Sequence, residues 1–169
     1  MKDFVLLTII LIACSLQLDK KEINTDKSTI TFVFESKDIN GTIGDIRSNS
    51  KIDLENLENS SLQGSVAVTT LKTGNFLRDG HLMWEKYFNR KEHPRLTFKS
   101  EVITKKIDGT YSIIGDLTIK GTSKQEEFTA YIELNRLRVD GLINISDYSI
   151  EIDKEKDKNT VAITMNFRV

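Results

Sequence analysis

From Ser28 onward, apolar residues recur at every second position. Ile30, Phe32 and Phe34 alternate with Thr29, Thr31, Val33 and Glu35, and Val66 and Val68 alternate with Ser65, Ala67 and Thr69. Leu96, Phe98, Ser100 and Val102 share one face of a third segment, and Tyr111, Ile113, Gly115, Leu117 and Ile119 one face of a fourth. Phe128, Ala130, Ile132 and Leu134 form a fifth set. The chain closes on Val161, Ile163, Met165, Phe167 and Val169. A period of two predicts strands with one buried face, as in an antiparallel sheet. The intervening residues agree. Lys106-Ile107-Asp108-Gly109 carries an Asp-Gly hairpin signal, and Lys120 to Lys124 separates two further strands. Gly41-Thr42-Ile43-Gly44 reads as a turn, and Lys154 to Asn159 as a charged, solvated loop. Strands recurring about every ten to fifteen residues imply an all-β sandwich or barrel. No longer repeat is present.

Phe76 to Asn89 departs from this period. Leu77, Trp84 and Phe88 recur at helical spacing, and Asn75 or Asp79 can cap a short helix. Gly80 argues against one uninterrupted helix. The segment predicts a short helix or two in a long connection, and it holds the single tryptophan.

The N-terminus has a third pattern. Phe4 to Ala13 is a ten-residue apolar run, too short to cross a bilayer, which needs about 20 residues, but the length of a signal-peptide core. The run ends Leu11-Ile12-Ala13-Cys14, which resembles the bacterial lipobox, where small residues precede a cysteine that is lipidated and becomes the new N-terminus. The expected organisation is a signal peptide over 1–13, a lipidated Cys14 with a polar tether over 14–27, and a domain over 28–169. Cys14 would anchor the protein to a membrane of the bacterial envelope. Ser15 follows it where an inner-membrane retention signal often has Asp, which favours the outer membrane, facing the periplasm.

Composition narrows the chemistry. Lys plus Arg is 24 and Asp plus Glu is 25, so no strong field favours nucleic acid. With one cysteine there is no internal disulfide and no cysteine-built zinc site. His81 and His93 lie twelve residues apart without a metal-binding spacing. No Gly-x-Ser-x-Gly elbow, phosphate loop or Gly-x-Gly-x-x-Gly run occurs. Glu126-Glu127 reads as solvated. The sequence offers no catalytic set, no metal site and no cofactor motif.

A longer series is more specific. It runs Thr69 to Asn75, Arg78-Asp79-Gly80-His81-Leu82, Tyr87-Phe88, His93-Pro94-Arg95-Leu96-Thr97-Phe98-Lys99-Ser100, Gly115 to Lys124, and Asp147-Tyr148. In order and spacing this resembles the YceI-like family, the lipocalin-like polyisoprenoid-binding proteins of bacteria, from about Thr29 to Val169. The resemblance implies an extended antiparallel eight-stranded barrel, with a short helical connection around residues 76–89, enclosing an elongated apolar channel. It also implies secreted or periplasmic proteins that bind isoprenoid chains or other long amphiphiles. Three positions depart from the pattern. Lys27 precedes Ser28 where many relatives have histidine, Ile145 stands where many have arginine, and His93 where many have tyrosine. If the family's polar residues hold a pyrophosphate or quinone head, Ile145 weakens that contact here.

The resemblance makes Arg78, Asp79 and His81 candidates for a ligand head group at the channel mouth. Equally, they can pin the connection to the barrel, with Asp79 capping a helix, Arg78 pairing with a carboxylate and His81 bonding a backbone carbonyl. Phe32, Phe34, Phe98, Ile113, Leu117, Phe128 and Trp84, with Leu82 and Phe88 of the connection, are candidates to line the channel or to pack an ordinary core. The expected function is non-catalytic binding, storage or transport of a long apolar amphiphile: an isoprenoid quinone, a polyprenyl lipid or a fatty-acid-like ligand. The alternative is a structural or stress-related envelope lipoprotein whose filled barrel binds another protein. A homodimer stays open.

Overall fold

The computed structural model describes residues 20–169, so Cys14 and the apolar run lie outside the described residues. Eight strands follow in chain order: β1 (Asn24–Phe34), β2 (Ile39–Ser48), β3 (Gln63–Lys72), β4 (Arg95–Lys105), β5 (Tyr111–Ile119), β6 (Thr122–Glu133), β7 (Arg136–Asn144) and β8 (Thr160–Arg168). Each pairs antiparallel with its neighbours in sequence, and β1 pairs with β8, so the sheet closes into a barrel. The all-β, eight-stranded expectation is borne out.

Inward positions follow the period of two. On β5, Tyr111, Ile113, Gly115, Leu117 and Ile119 are buried. The Lys120-Gly121 link to β6 has positive φ at both residues (50° and 76°), the geometry that matches the right-handed twist of flanking strands. The Asp108-Gly109 turn also forms, with Lys106 N–H donating to the Thr110 carbonyl at 2.8 Å.

Four expectations need correction. Residues 24–27 belong to β1 and Ile23 is buried, so the domain begins before residue 28. Gly41 to Gly44 is part of β2, not a turn. On β4 the register shifts between Ser100 and Val102, turning Val102 to solvent and Ile103 inward; one extra residue in a bulge flips the faces. Leu134 lies in the β6–β7 turn at φ 56° and is 95% exposed.

Three phenyl rings lie against glycines of the wall. A Cβ on Gly41 would overlap the ring of Phe32, its cross-strand partner. A Cβ on Gly115 would overlap Phe98, and one on Gly141 would overlap Phe128. The glycines give the rings a place along the wall.

Closure is uneven around the barrel. β1 and β2 pair only from Ile30↔Ile43 to Phe34↔Ile39. Below that, a groove of about 390 Å³ opens between Thr25, Asp26 and Ser28 on one side and Gly44 and Asp45 on the other. β2 meets β3 with two register shifts. At the lower end, where β1 begins, residues 49–62 fold against β4 and bury Ile52, Leu57 and Leu62. At the upper end stands the connection between β3 and β4, with helix α1 (Phe76–Leu82).

Gly41→Ala should lower stability by about 1–3 kcal/mol, because its methyl would overlap the Phe32 ring and the Lys72 carbonyl oxygen. Gly80→Ala, inside α1 with nothing within 4 Å of the new Cβ, should raise it by roughly 0.5–1 kcal/mol. Urea unfolding of the two variants reads both signs.

Candidate functional site: an apolar lumen with a polar mouth

The inward faces do not fill the barrel. An upper chamber of about 330 Å³ is lined by Phe32, Phe34 and Ile39 from the β1–β2 hairpin, Ile143, Val161 and Ile163 from β7 and β8, and Leu82 and Phe88 from the connection. A lower chamber of about 140 Å³ is lined by Phe98, Ile113, Leu117, Phe128, Val139 and Phe167, among others. Both touch a ring of five aliphatic side chains, Ile30, Ile43, Leu96, Ile119 and Ile163, which forms a waist. In the upper chamber the polar side chains are Thr73, Arg78, His81 and Tyr87, all at the connection or the end of β3. The lumen is thus mainly apolar, and polar side chains border it towards both ends, with Arg47, Ser48, Ser50, Gln63, Ser65 and Thr97 at the lower chamber.

The mouth is built on Thr73, which follows the last residue of β3. The Asp79 carboxylate accepts from the Thr73 N–H (2.8 Å) and its hydroxyl (2.5 Å). Arg78 donates through Nε to the Thr73 hydroxyl (2.7 Å) and through Nη2 to the Thr73 carbonyl (2.8 Å). Two adjacent helical residues therefore grip one buried threonine, which sets the angle between α1 and the barrel. Asn75 caps the helix, its side chain accepting from the N–H groups of Leu77 and Arg78 at 3.1 Å. That leaves Asp79 free for Thr73, so the expected capping role of Asp79 is corrected. Arg78 also differs from expectation: among the described residues its bonds go to Thr73, and no carboxylate pairs with it. His81 packs against Trp84 with ring centroids 4.4 Å apart and planes tilted by 58°, and among the described residues no bond runs from its ring to a backbone carbonyl.

The structure brings ten of the twelve candidates onto the lumen. Phe32, Phe34, Arg78, His81, Leu82 and Phe88 border the upper chamber, and Phe98, Ile113, Leu117 and Phe128 the lower. Asp79 and Trp84 do not line it. Asp79 is turned to Thr73, and Trp84 lies past the end of the helix, 60% exposed on the outer surface. The waist residues Ile30, Leu96, Ile119 and Ile163 were missed as lining, although their alternation already put them on inward faces. Ile143 belongs to β7, whose alternation of Leu137, Val139, Gly141 and Ile143 against Arg136, Arg138 and Asp140 is legible once noticed. Ile152, in the loop before β8, carried no periodic signal.

The late Asp147-Tyr148 pair supports the wall from outside the lumen. β6 and β7 part above Thr129↔Asp140. Near that gap the fully buried Tyr148 donates its hydroxyl to Glu126 at 2.7 Å. Burial and the Glu126 carboxylate push the Tyr148 phenol far above its usual range. Asp147 pairs with Lys156 at 2.8 Å, which holds its carboxyl below the usual value. Glu126 and Glu127 are not simply solvated, since Glu127 accepts from Ser112 at 2.6 Å and from Lys106 at 3.2 Å. Ile145, at the arginine position of the resemblance, is buried and adds an apolar wall to the upper chamber. Among the described residues, no three His, Cys, Asp or Glu side chains cluster as a metal site, and no helix is long and apolar enough to cross a membrane.

Residues 22–169 match the YceI-like domain. A UPF0312 protein of Photorhabdus laumondii is 31% identical over 84 residues, covering 50% of this chain and 43% of that protein, so the chain spans less than half of that relative's length. A UPF0312 protein of Staphylococcus epidermidis is 26% identical over 129 residues, covering 69% of this chain and 71% of that protein. Among solved structures, BcnA of Burkholderia cenocepacia superposes with a TM-score of 0.75 at 20% identity, over 88% of this chain and 99% of that one. A polyisoprenoid binding domain from Saccharophagus degradans, implicated in plant cell wall breakdown, gives a TM-score of 0.58 at 15% identity, over 86% and 94%. Both are similar to this chain in fold.

Asp79→Ala would leave the buried Thr73 N–H without its acceptor, and should lower stability by about 1–3 kcal/mol. Urea unfolding followed by circular dichroism reads the loss.

Proposed function

The chain belongs to the YceI-like family, and from that membership we propose that its barrel binds one long apolar amphiphile and carries or stores it without covalent change. The observation that supports this most is the open lumen. Packed cores hold few voids larger than a water molecule. The upper chamber, at about 330 Å³, is far larger than such a void. Space of that size is retained for an occupant, and it lies within the range of small-molecule sites, about 300–1,000 Å³. A filled barrel that acts only through its surface fits these dimensions poorly.

The shape narrows the ligand class. The lumen runs through two chambers that share the five waist residues, a length that suits a long chain, and the apolar walls favour hydrocarbon at roughly 25 cal/mol per Å² buried. Thr73, Arg78, His81 and Tyr87 can receive a polar head at the mouth. An isoprenoid quinone, a polyprenyl lipid or a fatty-acid-like molecule meets these terms. The polyisoprenoid binding domain of Saccharophagus degradans, similar in fold, supports the isoprenoid members of that set.

The lipobox-like Leu11-Ile12-Ala13-Cys14 supports an acyl anchor on Cys14 and a place in the bacterial envelope, on the outer membrane facing the periplasm. A multiply acylated cysteine holds stably, since each buried methylene contributes about 0.8 kcal/mol.

Protein purified from bacterial membranes should release close to one equivalent of a long-chain lipid on extraction. Leu96→Trp, which fills the waist, should cut that yield at least about tenfold while the barrel stays folded by circular dichroism. A wild-type barrel that yields no lipid would overturn the reading. Separately, Cys14→Ser should remove the acyl mass and move the protein to the soluble fraction; a variant that stays with the membranes would defeat the anchor assignment.

A further inference from the structure

Helix α1 has two uses, and only one of them serves the lumen. Arg78 and Leu82 turn to the upper chamber, whereas Phe76 (82% exposed), Leu77 (59%) and, just past the helix, Trp84 (60%) turn to solvent. These three share one surface depression with the exposed Arg90 and Lys91. Lys86, also exposed, lies beside them in sequence with its ammonium over the Tyr87 ring. We infer that this patch docks on the surface of a phospholipid bilayer and sets the mouth of the lumen against the lipid from which the ligand comes. The inference rests on the lipid-binding reading above and extends it to how the ligand enters.

Three observations favour a bilayer as the occupant. The first is area. Three side chains of this size and exposure offer on the order of 400 Å², about half of what each partner buries in a standard protein–protein interface. The second is chemistry. Tryptophan and phenylalanine flanked by Lys and Arg are the side chains that settle at a membrane interface, with rings at headgroup depth and cations towards anionic phosphates. Glu85 and Glu92 temper the charge of the patch, so insertion of the rings leads and attraction to anionic lipid adds to it. The third is continuity. His81 borders both the patch and the upper chamber, so a chain leaving a docked bilayer would meet the polar mouth before meeting bulk water. The patch also stands at the opposite pole from the start of the fold, where Ile23 and Phe167 border the lower chamber. Lys21, bridged to Ile52, therefore stands at the far end.

Trp84 is the only tryptophan, so its fluorescence reports on the patch directly. The full chain carrying Cys14→Ser, which removes the acyl anchor, is mixed with vesicles of phosphatidylglycerol and phosphatidylethanolamine, and with vesicles of phosphatidylcholine alone. Trp84 emission should move to shorter wavelength and the protein should sediment with the vesicles, more strongly with the anionic mixture. The double variant Phe76→Ser with Leu77→Ser should weaken vesicle binding at least about tenfold with an unchanged unfolding midpoint. It should retain wild-type lipid in the lumen, since neither side chain lines it. No shift and no sedimentation, or binding that survives the double variant, would overturn the inference. So would a concentration-dependent dimer broken by the same variant, because a second copy would then own the patch. A wild-type lumen that carries lipid alongside failed vesicle binding removes this inference alone; a lumen that carries none removes the lipid-binding reading beneath it.

Discussion

Eight strands enclose an interior that side chains can just fill or that can hold one small ligand. Which outcome holds depends on where the largest inward side chains go. Here the decisive contacts are three phenyl rings laid against glycines. Phe32 covers Gly41, Phe98 approaches Gly115, and Phe128 approaches Gly141. A glycine in a strand is a weak strand former that gives up packing area. That loss is what lets each ring lie along the wall. With a methyl at any of the three, the ring would have to move inward, and the waist and chambers would shrink. Phe98 and Phe128 then meet edge to face, centroids 5.2 Å apart, which recovers part of the packing inside the lower chamber.

The upper end depends on a smaller device. A seven-residue helix has little stability of its own. It holds its place because Asn75 satisfies its first free N–H groups and because Arg78 and Asp79 both bind Thr73. The polar side chains that look most like ligand contacts are thus already engaged in fixing the connection. Arg78 holds Thr73 through two of its nitrogens and also borders the upper chamber. Asp79 does only the first. The pair illustrates why neighbouring residues in one motif can differ in role.

Much of this was legible in the chain. The period of two located six strands, and the recognised series suggested the remaining two and their closure. The waist was legible in part, since Ile30, Leu96, Ile119 and Ile163 all sat on alternating faces. β2 was hidden because its glycines, Gly41 and Gly44, resemble a turn until the ring of Phe32 is placed over one of them. Val102 and Leu134 were misplaced for local reasons that no pattern of apolar letters records: a bulge on β4 shifts the phase of alternation by one, and β6 ends at Glu133, so Leu134 falls in a left-handed turn position. Trp84 was misassigned because helical spacing was extended past Leu82, where the chain leaves the helix and the indole swings outward. Ile152 reaches the lumen from an irregular loop, so only tertiary structure could reveal it.

The uneven closure has a mechanical meaning. A closed sheet is a hoop, and a hoop under load parts where its joints are fewest. The seams on both sides of β2 and of β3 are sparse, with five residue pairs between β1 and β2, four between β2 and β3 across two register shifts, and five between β3 and β4. The opposite wall, where β5 pairs with β6 over nine consecutive positions, is the stiff one. Since local opening draws on the least-bonded parts of a fold, any widening needed for a thicker guest falls on the β2–β3 wall, like the loose staves of a cask.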